Sequence, residues 1–239
     1  MTLFRWLLWL TVTLALATSM LLPSNAKVKP VSTDGEATVY LNGGFSREFE
    51  LSYDIAFHPA RHNRSLSFID VILLGGIPPS GSITVGLMLG APNPSALSAF
   101  VTTNRLGGKQ KFEQFPVTCR SHCRLELKGN ATEFSASIQG RRIRTWSRSD
   151  VFMRKPYAQL NGEVSGPGDS IFALVTPIRV TAGGHSLRPT CAFTTQGIEA
   201  RSTSSNAFEF VGTSRSDARV TYVSLRTGKT QDKCPPEKM

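Results

Sequence analysis

Apolar and polar residues alternate along most of this chain with a period of two. Phe49, Leu51, Tyr53, Ile55 and Phe57 interleave with Glu48, Glu50, Ser52, Asp54 and Ala56. That is the pattern of a half-buried strand, and His58-Pro59 ends it. Leu66–Leu74 is more evenly apolar and reads as a central strand. Ser82–Leu89 is another strand, and Leu97–Thr103 and Lys111–Val117 are shorter candidates. Gly75-Gly76, Pro78-Pro79 and Pro92-Asn93-Pro94 punctuate the series. Further on, Tyr157–Val164 alternates cleanly, Gly166-Pro167-Gly168-Asp169 is a turn, and Ser170–Val180 is apolar on both faces. No segment carries a convincing helical period. Many short strands separated by Gly/Pro turns predict an all-β, antiparallel sandwich or barrel.

The most informative stretch is residues 124–146, RLELKGNATEFSASIQGRRIRTW. Leu125 and Leu127 oppose Arg124, Glu126 and Lys128, and Gly129-Asn130 turns the chain. Phe134, Ala136 and Ile138 alternate with Ser135, Ser137 and Gln139. A two-residue loop at Gly140-Arg141 sets Ile138 opposite Ile143 on the buried face. On the outer face that register pairs Gln139 with Arg142, Ser137 with Arg144 and Ser135 with Trp146. The expected outer surface therefore carries two guanidinium groups and a tryptophan among small hydroxyls, which suits sugar stacking or an anionic group. The competing reading is a solvated basic strand whose Trp146 covers the rim of the core.

The N-terminus changes the setting. Arg5 precedes an apolar run from Trp6 to Leu22, and Pro23-Ser24-Asn25-Ala26 offers small residues before Lys27. This predicts a signal peptide over 1–26 and a secreted product; an uncleaved anchor is the alternative, because the run is near spanning length. Cleavage removes one arginine and takes the net charge from +10 to +9. A basic secreted chain favours an extracellular glycan or other anionic polymer as partner. The arginines outside the hairpin are scattered, which disfavours nucleic acid, and cleavage would leave no stable membrane insertion.

Four cysteines remain: Cys119, Cys123, Cys191 and Cys234. In a secreted chain they predict two disulfides with three connectivities open. The favoured set is Cys119–Cys123, closing a tight loop, and Cys191–Cys234, tying down the tail. Asn63-Arg-Ser and Asn130-Ala-Thr are glycosylation acceptors if the host glycosylates. Thr181–Gly184 reads as a boundary, so the expected domains are a sandwich over 27–182 and a small β-rich extension over 183–239. In that extension Cys191–Thr195, Phe208–Gly212 and Val220–Leu225 are strands, and Arg201–Asn206 is a loop.

LELKGNATEFSASIQGRRIRTW, with FELSYDIAF, SITVGLMLG, PYAQLNGEV and DSIFALVTPIRV, resembles the strand order of concanavalin A-like (jelly-roll) lectin and glucanase sandwiches over roughly Val39–Val180. The resemblance implies a jelly-roll β-sandwich with a disulfide-tethered C-terminal β appendage. It also implies glycan binding on the concave sheet. The outward residues Tyr157, Gln159, Asn161 and Glu163 then join Arg142, Arg144 and Trp146 as candidate ligand contacts.

Catalytic patterns are weaker. Glu48 and Glu50 share a strand face about 7 Å apart, a spacing open to a glycosidase pair. Asp54 lies too far along, however, and the third carboxylate of the glucanase set is missing. Gly168-Asp169-Ser170-Ile171 lacks a downstream Asp-x-x-His. His58 and His62 bracket a proline and share no helical face for a metal. The lead expectation is a secreted, non-enzymatic, lectin-like binder without metal or cofactor. A carbohydrate-active hydrolase or lyase on the same fold, and a structural or protein-interaction module, are the alternatives.

Overall fold

The computed structural model describes residues 35–231 apart from 43–47, 59–65, 75–80, 91–95, 105–109, 121, 150, 152–156, 167, 205–206, 216–217, 219, 226 and 228. The expected signal segment, Asn63, His62 and Cys234 lie outside the described residues. Among those described there is no helix. The strands are β1 (Glu36–Asn42), β2 (Phe49–Phe57), β3 (Ser67–Leu74), β4 (Ser82–Leu89), β5 (Leu97–Asn104) and β6 (Lys111–Pro116). Then follow β7 (His122–Gly129), β8 (Glu133–Ile138), β9 (Arg141–Ser147), β10 (Tyr157–Val164), β11 (Ser170–Ala182) and β12 (His185–Ser186). The last are β13 (Arg188–Thr194), β14 (Ile198–Ser204), β15 (Ala207–Thr213), β16 (Thr221–Ser224) and β17 (Thr230–Gln231).

They build an unclosed sandwich of two antiparallel sheets. The nine-stranded sheet runs β17-β16-β13-β1-β10-β3-β4-β5-β6, and the eight-stranded sheet runs β14-β15-β11-β2-β7-β8-β9 with β12 paired to β11. β7 and β8 bury alternate residues, because alternate side chains point to opposite faces. Leu51, Tyr53 and Ile55 of β2 meet Val39 of β1, Val71 of β3 and Val85 of β4 in one interior. Gly162 of β10 faces that interior. A Cβ there would come within 2.3 Å of Phe210 Cδ1, so the missing side chain is what lets Phe210 cross from the other sheet.

The strand reading from sequence holds for most elements, with Ser82–Leu89 and Tyr157–Val164 reproduced end to end. Three differences matter. Glu36–Asn42, which precedes the alternating series read from sequence, is a central strand between β13 and β10. Arg201–Asn206, expected as a loop, contains the end of β14. The C-terminal extension continues both sheets: β13 pairs with β1, and β15 pairs with β11, so Ile198, Phe208 and Phe210 enter the shared core. Its short apolar runs suffice because they complete an existing interior rather than build a new one. The Cys119–Cys123 disulfide is present, with Cα atoms 5.6 Å apart. Cys191 is also disulfide-bonded.

The hairpin register differs from the expected one. Its loop is Gln139-Gly140, both with positive φ (51° and 74°), the conformation a tight two-residue turn requires. Ile138 pairs with Arg141 and Ser137 with Arg142. A bulge at Ile143 then resets the phase, so Ala136 pairs with Arg144 and Phe134 with Trp146. A bulge puts two residues against one and turns the following side chains to the opposite face. Arg144 and Trp146 therefore point between the sheets, while Arg142 stays outside.

Candidate functional site

The expected ligand surface divides among three places. Trp146 is 3% exposed, and its Nε1–H donates to Thr103 Oγ1 of β5 at 2.8 Å. Arg144 Nη1 reaches Glu113 Oε2 of β6 at 3.2 Å. Both side chains thus seam the β9 edge of one sheet to the β5–β6 edge of the other. Burying an indole removes roughly 200 Å² from water, worth several kcal/mol, and that gain fixes the bulged register over the regular one. Arg142 is exposed on the outer face of the eight-stranded sheet. That face is otherwise a ladder of solvated ion pairs: Asp54–Arg124 at 3.2 Å, and Glu50 with Lys128 at 3.2 Å and with Arg179 at 3.4 Å. Those cations occupy Glu50, one member of the Glu48–Glu50 pair considered from sequence, and Asp54, which lay too far along the strand to join it.

The remaining candidates lie on the other sheet. On β10, Ala158, Leu160 and Val164 face the interior, so Gln159, Asn161 and Glu163 face outward from the nine-stranded sheet. Tyr157 begins the same strand, opposite Leu74 of β3. The register brings further polar residues beside them. Asn161 sits between Thr38 of β1 and Asp70 of β3; Glu163 sits between Glu36 of β1 and Phe68 of β3. Asp70 in turn lies opposite Gly86 of β4, and Gly86 lies opposite Phe100 of β5.

These side chains form one cluster. Asn161 Nδ2 donates to Asp70 Oδ1 at 3.1 Å, and Thr38 Oγ1 donates to Glu36 Oε1 at 2.6 Å. Asp70 is 3% exposed. Burial first, then the Glu163 and Glu36 carboxylates, raise its pKa well above the ordinary carboxylate range, against the lowering effect of the Asn161 hydrogen bond. Burial likewise raises Glu36, opposed by its bond from Thr38. Asn161 Oδ1 is buried without a hydrogen-bond partner. The cluster is thus rich in acceptors and holds one unused one.

Aromatic side chains stand on both flanks of this floor. Phe100 packs edge-on against Phe68 and stacks on Phe112, with ring centroids 5.9 and 5.8 Å apart; Phe112 is 55% exposed. On the other side Phe193 of β13 packs against Tyr222 of β16 at 5.3 Å. Gly86 keeps the centre close-packed, since a Cβ there would fall 2.5 Å from Asp70 Cβ and 2.6 Å from the Phe100 ring. Sequence reasoning named Gln159, Asn161 and Glu163 but missed Asp70, Glu36 and Thr38. A carboxylate in the apolar run FIDVILL was the available signal. Among the described residues no group of His, Cys, Asp and Glu could hold a metal ion.

No protein-family model matches this sequence, and no curated protein is recognisably similar to it. Solved structures are similar to it at low identity. Scytalido-glutamic peptidase with a transition state analog inhibitor is 11% identical over 76% of this chain and 98% of that one, with a TM-score of 0.50. A glycoside hydrolase family 16 endo-glucanase from Bacteroides ovatus is 12% identical over 55% of this chain and 66% of that one, at 0.40. Sheep galectin-11 is 8% identical over 54% of this chain and 94% of that one, at 0.37. The likeness to scytalido-glutamic peptidase shows a shared two-sheet β-sandwich fold and nothing beyond the fold.

Proposed function

We propose that this chain is a secreted β-sandwich protein that binds a neutral glycan on the outer face of its nine-stranded sheet. The observation that carries this reading is the unsatisfied, buried Asn161 Oδ1 among the Asp70, Glu163 and Glu36 carboxyls. The half-buried Gln159 and Glu163 carry further acceptors at the rim of that cluster, and sugar hydroxyls supply donors in number. Phe112 and Tyr222 offer ring faces on the two flanks. Glu163, half-buried on the same face, disfavours an anionic polymer there, so the overall basic charge belongs to other surfaces. Export of the mature chain rests on the N-terminal pattern and on paired cysteines, which suit an oxidising compartment. Asn130 is the proposed glycan acceptor: it is exposed, and its Oδ1 accepts from Thr132 N at 2.8 Å and Thr132 Oγ1 at 3.0 Å, holding the acceptor triplet in a turn.

Affinity electrophoresis in gels containing neutral β-glucan tests the face. Gln159→Ala with Phe112→Ala is expected to reduce retardation several-fold, and Arg142→Ala on the opposite sheet to leave it unchanged. Retardation that depends on Arg142 and not on Gln159 or Phe112 would reject this surface.

A further inference from the structure

The eight-stranded sheet carries a different kind of surface at one corner. β7 opens with His122 and Arg124 on its outer face, since Cys123, Leu125 and Leu127 of that strand are buried. The Cys119–Cys123 disulfide keeps Arg120 beside them. Two strands across, β9 begins with Arg141 and Arg142. His122 and these four arginines are all exposed. The corner is pinned: at the β8–β9 turn, Gln139 donates its backbone N–H to Arg124 O at 2.8 Å and its Nε2 to His122 O at 3.2 Å. Ile138 lies opposite both Leu125 of β7 and Arg141 of β9, so the two basic strands stand two strand spacings apart, about 10 Å. Between them Ser135 and Ser137 of β8 turn outward, because Phe134, Ala136 and Ile138 are buried. Asp54 takes up Arg124 at 3.2 Å. Among the described residues, Arg120, Arg141 and Arg142 form no ion pair.

We propose that this corner is a second binding surface, and that its ligand is a sulfated polysaccharide. The fixed cations of the corner are all arginines. A guanidinium fork meets the paired oxygens of a sulfate or carboxylate with two parallel hydrogen bonds, which an ammonium does not. Three of the forks have no protein carboxylate to give up, so a ligand anion displaces only water. The Ser135 and Ser137 hydroxyls between the basic strands bond the hydroxyls of the sugar rings. The Gln139 bonds and the disulfide hold the corner in place beforehand, which lowers the ordering cost of binding. The large apolar side chains exposed among the described residues are Phe112, Ile178 and Val220, none of them in this corner. The corner therefore offers nothing to insert into a bilayer or to stack on a nucleotide base. The net charge of +10 draws a polyanion to the protein, and the forks give it a place to dock. The bulge at Ile143 shapes this surface: it sends Arg144 to Glu113 in the seam and leaves Arg142 outside. The corner is separate from the neutral-glycan face on the nine-stranded sheet and does not depend on it.

The test measures binding of the full chain to heparin, by column retention and by titration calorimetry at several salt concentrations. Arg141→Ala with Arg142→Ala is expected to weaken affinity at least about tenfold and to reduce the slope of log affinity against log salt by about two, one counterion for each lost contact. Arg188→Ala with Lys229→Ala removes the same charge from exposed positions elsewhere. That control is expected to change affinity less than about threefold, because distant charges are screened. Equal losses in the two double variants would mean attraction by net charge alone and would overturn the corner. Arg141→Lys with Arg142→Lys keeps the charge and removes the forks; its affinity is expected to fall between wild type and the alanine variant, and undiminished affinity would contradict the bidentate contact. Wild-type protein that passes through the heparin column at low salt also sinks the proposal. Phosphatidylserine vesicles or duplex DNA bound more tightly than heparin, through Arg141 and Arg142, would assign the corner to a membrane or a nucleic acid instead. Retardation in neutral β-glucan is expected to be the same in all these variants, so failure here leaves the neutral-glycan face standing.

Discussion

Trp146 distinguishes a surface aromatic from a structural one. The indole is 3% exposed and spans the gap between the sheets, ending on Thr103 Oγ1 at 2.8 Å. Truncating a buried tryptophan to alanine costs about 3–5 kcal/mol in lost burial and residual cavity. For a domain of this size about 1 kcal/mol moves the unfolding midpoint by roughly 2–4 °C. Trp146→Ala is therefore expected to unfold roughly 6–20 °C lower. Trp146→Phe keeps most of the ring but strands the buried Thr103 hydroxyl, and should lose about 1–3 kcal/mol. Thermal unfolding followed by circular dichroism, with glycan retardation measured at a temperature where every variant is folded, reads both quantities. Folded Trp146→Ala should still be retarded like wild type. A midpoint within about 2 °C of wild type, with glycan retardation lost, would refute the seam and restore Trp146 to the binding surface.

Four other outcomes follow from the same structure. Tyr53 is fully buried with its hydroxyl unpartnered, so Tyr53→Phe should raise stability by about 1 kcal/mol or more, read from the urea midpoint; a lower midpoint would show that the hydroxyl is satisfied. Gly162→Ala drives a Cβ into Phe210 and should cost about 1–3 kcal/mol, partly recovered by adding Phe210→Leu; no loss from the single variant would contradict the close approach. Replacing Cys119 and Cys123 with serine opens a loop of sequence separation 4 and should cost about 2 kcal/mol in the unfolding midpoint. Asp70 and Glu36 have folded pKa values above their ordinary 3.8 and 4.5, so between those values and the raised ones the folded state holds more protons, and stability falls as pH rises. Asp70→Asn should thus be more stable than wild type near neutral pH, and its advantage should vanish as pH drops below about 4; a pH-independent gap would contradict the raised Asp70.

The fold was largely legible because period-two alternation is a direct imprint of a two-faced strand. FELSYDIAF and YAQLNGEV carry it without ambiguity, and both lie where expected. The errors share a cause. Glu36–Asn42 begins with a glutamate that is buried only because β10 and β13 flank it, and nothing local announces those neighbours. The hairpin differs at two residues: Gln139 adopts a positive φ and moves the loop back by one, and the bulge at Ile143 inverts the faces after it. A single phase change moved Trp146 and Arg144 from surface to seam. The candidate site was half legible. Gln159, Asn161 and Glu163 follow from alternation on one strand, whereas Asp70, Glu36 and Thr38 join them only through cross-strand register, which pairs positions 91 residues apart in the Asn161–Asp70 bond.

The central claim is that the nine-stranded sheet offers an acidic, hydroxyl-seeking face to an uncharged glycan. A glycan array probed with the mature chain at low and at high salt tests it most directly, because screening by salt weakens charge attraction and leaves sugar hydrogen bonding and stacking in place. The predicted result is a set of neutral glycans whose signals are nearly equal at the two salt concentrations and fall together in Gln159→Ala with Phe112→Ala. Signals confined to sulfated or uronic-acid glycans, abolished by high salt and indifferent to those two positions, would contradict it.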